Sequence, residues 1–265
     1  QDASGRGRLG RELVDRRALE AHLARAYLLS AFTNQWREPL ADGAALARRA
    51  FDVAARVGDI TYACYVRCDV ISILLAMGTP LEEVRRECIA ALAYVDKVEY
   101  PLVSAAVTSM LRLTLSLQGE TSGLSSFNGD GFDERSFEVE LETSRQAVAL
   151  AICWPSLRKL QACFFAGDWD GALSAARRTE ELLWSSPSFT EEPEFHFYHA
   201  LTLAASMRRP PTETQRLDAL KAERERFRIW AEGCPSNFGH KHALVCAELE
   251  RLEGHPTEAM RLYEE

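Results

Sequence analysis

"CFFAGDWDGAL", residues 163–173, runs from an apolar helix end into glycine, through a turn, and out into a second amphipathic helix. Gly167 suits the left-handed position that closes a helix, where a Cβ carries a steric penalty. The same progression recurs in "LLAMGTPLEEV" (74–84) and "LERLEGHPTEAM" (249–260). Pro80 and Pro256 there fit the first turn of the following helix, where a missing N–H costs nothing. Gly167 and Gly254 are each followed five residues later by a small residue, Ala172 and Ala259, which lets two antiparallel helices approach closely. The junction at 74–84 carries one extra residue and matches more loosely.

Helical patterns restart near Leu19, Ile60, Pro101, Gln146, Glu191 and Asn237, about 41 to 46 residues apart, the period range of helix-pair solenoids. Phe238, His242, Val245, Leu249 and Leu252 advance by fours and threes along one helix face. No segment alternates with period two for more than a few residues, which argues against strands. The Gly–Ala spacing, with Tyr263 four residues beyond Ala259, matches the latter half of a tetratricopeptide repeat. The expected fold is therefore all-α: a right-handed α-α superhelix, a TPR-like solenoid of about six helix pairs and about twelve helices. Residues 1–18 are a poorly defined N-terminal segment, and 19–118 hold the first three units. "GETSGLSSFNGDGFDE" (119–134) reads as a loop, and 135–265 hold the later units. With Gln1 at one end and "MRLYEE" at the other, the expectation is a piece of a larger polypeptide, truncated at its C-terminus.

The net charge of −8 and pI of about 5.4 oppose a nucleic acid or an anionic membrane surface as the main partner, since both need a basic face. The cluster Arg6, Arg8, Arg11, Arg16 and Arg17 is diluted by Asp2, Glu12 and Asp15 and reads as a solvated segment. Seven scattered cysteines, an odd number, fit reduced thiols in a cytoplasm better than a disulfide framework. No signal-peptide pattern opens the chain, and no apolar run approaches the ~18 residues of a membrane span.

"CPSNFGHKH" (234–242), followed by Cys246, gathers two cysteines and two histidines. On a helix His240 and His242 diverge by about 200°, whereas zinc ligands converge on one ion, so the stretch reads as a bend and helix cap. Cys64 and Cys68 read as small buried hydrophobes, and His196 and His199 as helix-face residues without a clear third ligand. "NGDG" (128–131) fails as a calcium loop because Phe132 breaks the carboxylate ladder and Val139 falls at position twelve. None of the four lysines, Lys97, Lys159, Lys221 and Lys241, follows a glycine, so there is no Walker A loop. G-x-S-x-G, H-R-D and G-x-G-x-x-G are absent as well.

"TNQWREPL" (33–40), "GFDERSFE" (131–138), "LRKLQACFFAGDW" (157–169), "LLWSSPSF" (182–189), "EFHFYHALTLAA" (194–205) and "WAEGCPSNFGHKHALVCAELERLEG" (230–254) occur in that order. Together they resemble the helical TPR-like middle region of large bacterial signalling proteins. Those proteins join a Ser/Thr-kinase-like domain, an AAA-type P-loop ATPase domain, this helical region, a GAF sensor and often a histidine kinase. The chain departs at Gly233, where a larger polar residue is expected, and its first 18 residues match nothing in that pattern. The resemblance implies a cytoplasmic signalling protein whose ATP binding and phosphotransfer lie in neighbouring domains; no catalytic residue, metal or cofactor is carried over.

The expected function is a non-enzymatic scaffold for protein–protein interaction and intramolecular relay, its partner another protein or neighbouring domains of the same polypeptide. In the Gly-anchored tetratricopeptide register, Tyr65, Trp154, Gln161, Tyr198, Lys241 and Glu248 face the concave groove. The alternative is a small-molecule effector-sensing helical domain, for which aromatic "CFFAGDW" and "EFHFYHAL" would line a closed apolar site.

Overall fold

A computed structural model describes residues 20–143, 148–207 and 214–265; the expected unit starts at Leu19 and Gln146, and the basic segment 1–18, lie outside them. The described residues form twelve α-helices and no strand. The first five are α1 (Glu20–Asn34), α2 (Leu40–Val57), α3 (Ile60–Ala76), α4 (Leu81–Val95) and α5 (Pro101–Leu117). After an irregular stretch come α6 (Glu134–Thr143), α7 (Ala149–Ala166), α8 (Trp169–Leu182) and α9 (Glu191–Ser206). The last three are α10 (Thr214–Gly233), α11 (Pro235–Glu253) and α12 (Pro256–Tyr263). No helix among the described residues is long and apolar enough to cross a membrane.

Glycine sets the pairing of consecutive helices. Gly78, Gly167 and Gly254 adopt φ of 67°, 71° and 87°. In each case the next residue's N–H bonds back five residues: Thr79 to Leu74, Asp168 to Cys163 and His255 to Glu250. That bond satisfies a carbonyl left over at the helix end and reverses the chain. Asp168 then caps α8 by accepting from the Gly171 N–H at 3.0 Å. A Cβ on Gly171 would overlap the capping Asp168 Oδ2 and sit 3.0 Å from Cys163 Sγ across the pair, so glycine leaves room for both the cap and the approach of α7, with Ala172 fully buried between the helices.

Alternate helices form a second set of contacts, α3 with α5, α5 with α7, α7 with α9 and α9 with α11. The short α6 makes its main contact with α7 and has no buried residue. The stretch ahead of it, Gly119–Asp133, is irregular, with two isolated bridges, and is held by Phe127 buried against Leu113 and Ala162. Arg112 stacks on Phe132 at 4.0 Å and donates to the Gly129 carbonyl.

The array curls back until its first and last units meet. Asn237, in the first turn of α11, binds the turn that follows α1. Its Nδ2 donates to the Gln35 and Glu38 carbonyls at 2.7 and 2.8 Å, and its Oδ1 accepts from the Leu40 N–H at 3.0 Å. Trp36 packs against Trp230 and Phe238, ring centroids 5.2 and 5.5 Å apart, and so belongs to the C-terminal core. Gln35 Nε2 donates to the Ser188 carbonyl at 2.6 Å, and Phe32 meets Phe189. The stretch 234–242 is thus the far side of a closing contact. Cys234 Sγ points to the Glu38 carbonyl and Ser236, while His242 pairs with Cys246 at 3.3 Å, so the two cysteines are engaged separately and do not converge on one point.

Candidate functional site

Inside the closed array lies an apolar cleft of about 310 Å³. Its walls follow from helical spacing. Tyr62, Tyr65 and Asp69 stand at i, i+3 and i+7 on one face of α3, and Leu102 and Ala106 at i and i+4 on α5. Phe32 from α1, Trp154 from α7 and Phe189 from the segment before α9 complete it. The aromatic walls are fixed by their own contacts. Trp154 Nε1 donates to Ser186 Oγ at 2.9 Å, and its ring meets Phe189 edge-on. The hydroxyls of Tyr65 and Tyr100 lie 2.8 Å apart; burial and that hydrogen bond push the Tyr100 phenol up to about 12.

Asp69 is 4% exposed, and its Oδ2 is buried without a hydrogen-bond partner. Burial, reinforced by the Glu191 carboxylate nearby, raises its pKa well above the ordinary aspartate value. Beside it runs a buried chain of charges. Arg158 donates to Glu191 at 2.6 Å, with both side chains 1% exposed, and Ser72 of α3 donates to the same oxygen. Arg158 also bonds Gln161 Oε1 at 3.0 Å; Gln161 reaches Glu194, which Lys241 of α11 pairs in turn. Two cations thus meet two carboxylates, and Asp69 is left over.

The six expected groove residues are not one surface. Tyr65 and Trp154 share the cleft, Trp154 as a buried wall. Gln161 and Lys241, 3% and 6% exposed, are enclosed between helices by the Glu194 chain, which corrects their expected exposure in an open groove. The physical reason is the curl: α3, α7, α9 and α11 converge, and their polar side chains bond one another instead of facing solvent. Tyr198 packs against Phe164 and Phe165, and burial raises its phenol. Glu248, on the far end of α11, accepts from Arg251 and Tyr263 and ties α11 to α12.

Asp69, Arg158 and Glu191 escaped the sequence reading. A signal existed for Asp69: α3, "ITYACYVRCDVISILLA", is apolar around nearly its whole circumference, so its one acid had to be buried. His196 and His199 also have the third partner that spacing could not find. Their Nδ1 atoms lie 3.0 and 3.1 Å from the Glu223 carboxylate of α10. Burial alone would raise Glu223; the two histidine hydrogen bonds outweigh it and bring the carboxyl to about 2.

Two other features offer less. A larger cleft of about 500 Å³ between α6, α7 and α8 presents Lys159 and Arg178, already paired with Glu134 and Glu142. Glu250, Glu253 and His255 lie close enough together to hold a cation, but Glu253 pairs with Lys221 and Glu250 with His255. No family model, curated protein or solved structure matches the chain.

Proposed function

We propose that the chain is an effector-sensing helical module without catalytic activity of its own, in which a small molecule enters the aromatic cleft. The observation that carries this is a buried carboxylate, Asp69, left without a partner in a cleft otherwise walled by apolar and aromatic groups. An unpaired buried acid destabilises the empty fold, and ligand sites are where such groups are retained. The cleft is walled by the first four helix pairs and by the approach to the fifth, so an occupant would bear on the contacts that join the two ends. On this proposal the helices are a TPR-like right-handed superhelix drawn into a ring, and occupancy is relayed to neighbouring domains of a cytoplasmic bacterial signalling protein of the kind the sequence resembles. A partner peptide in an open groove is the weaker proposal, because Gln161 and Lys241 are enclosed.

A thermal-shift screen of small organic compounds against the wild-type chain and Leu102→Trp tests it. Leu102 is half-buried at the cleft wall, so tryptophan there fills the space without opening the core. Compounds that stabilise the wild type and not the variant support the proposal. A screen in which no compound stabilises the wild type, or in which every hit stabilises both equally, contradicts it.

A further inference from the structure

Resting on that reading of the cleft, we infer that its ligand is a small organic cation, an aryl-alkyl ammonium whose charged end sits on Asp69 and whose ring lies among the aromatic walls. Charge balance comes first. Arg158 is paired with Glu191 and Lys241 with Glu194, so the nearby buried cations are taken and Asp69 has none. The walls come second. Phe32, Tyr62, Tyr65, Trp154 and Phe189 surround the space, and the negative faces of aromatic rings attract a cation brought out of water. Size comes third. At ~30 Å³ for each water, 310 Å³ is the space of about ten waters, room for a single ring with a short amine tail.

Protonation follows from the same geometry. Asp69 is faced by Glu191 of α9, with Cys68 and Tyr65 on its own helix, and Arg158 of α7 is turned to Glu191; the α1 and α5 side chains lining the cleft are not titratable. Burial and Glu191 favour the neutral carboxyl in the empty cleft. An arriving ammonium donates its N–H to the carboxylate, and the Asp69 proton leaves to solvent.

The test is isothermal titration of the whole chain with phenethylamine and with phenethyl alcohol, its uncharged isostere, in two buffers of different ionisation enthalpy. The amine is expected to bind at least tenfold more tightly than the alcohol and to release a proton. Asp69→Asn, checked for cooperative unfolding, should bring the two affinities together, and Leu102→Trp should remove both. Equal affinities in the wild type, or an amine preference that survives Asp69→Asn, overturns the cation while leaving the cleft as a site. Absence of binding by either compound to the wild type overturns both.

Discussion

Replacing Asn237 by alanine removes the hydrogen bonds that hold the first unit to the last. The side chain is 5% exposed and makes three bonds to the backbone of residues 35–40, at 2.7, 2.8 and 3.0 Å. At about 0.5–1.5 kcal/mol net for each, the loss is about 3 kcal/mol. The Gln35 carbonyl is left without this donor; the Glu38 carbonyl keeps the weaker Cys234 thiol at 3.5 Å. Asn237→Asp should cost more than alanine, since an acceptor-only group then faces two carbonyl oxygens. Urea unfolding followed by circular dichroism gives the stability change, and hydrogen exchange of the 35–40 amides reports whether the contact opens before the rest. Ser236→Ala, one residue away and exposed, is the control and should stay within about 0.5 kcal/mol. An Asn237→Ala protein within about 0.5 kcal/mol of wild type, with unchanged exchange at 35–40, would refute the reasoning.

Three further outcomes follow. Arg158→Met leaves Glu191 buried and unpaired and should cost about 3–5 kcal/mol, whereas Arg158→Met with Glu191→Leu should recover most of it; a double-mutant cycle in urea measures both. Glu223 has a folded pKa near 2, below its ordinary value of 4.5, so its contribution is full above pH 4.5 and fades as pH falls towards 2. Glu223→Gln should therefore destabilise by roughly 3 kcal/mol at pH 7 and by progressively less below pH 4.5, read from unfolding curves across that range. Asp69 has the opposite sign: with its pKa raised above 3.8, the stability it allows is full at lower pH and lost as pH rises through the folded value. Asp69→Asn should leave the melting temperature unchanged near pH 4 and raise it at pH 7; a fall at pH 7 would contradict the unpaired buried carboxyl.

The helix pairs were legible because their signals are local. Glycine at 78, 167 and 254 ends a helix by its own backbone freedom, and Ala172 and Ala259 are buried where the spacing asked for small residues. Asp59, which caps α3 from its side chain, is equally local. The curl was not legible, because it rests on Asn237 meeting residues about two hundred positions earlier in the chain, a contact no periodicity encodes. "CPSNFGHKH" read as a bend, and half of its role was visible; what it bends against was not. The same holds for Gln161 and Lys241. A helix register says which way a side chain points, but not whether another helix has arrived there.

The closing contact is the claim on which the enclosed charges and the sheltered cleft both depend, and a distance across it tests it most directly. Glu38 and Ser236 are both exposed and lie on opposite sides of the contact. Spin labels on Glu38→Cys and Ser236→Cys, measured by electron paramagnetic resonance, should report a separation below about 20 Å. An open stack of six units, at 8–10 Å between packed helices, would hold them roughly 40–50 Å apart. A narrow distribution at the short distance is the predicted result, and one centred at several tens of ångströms would contradict it.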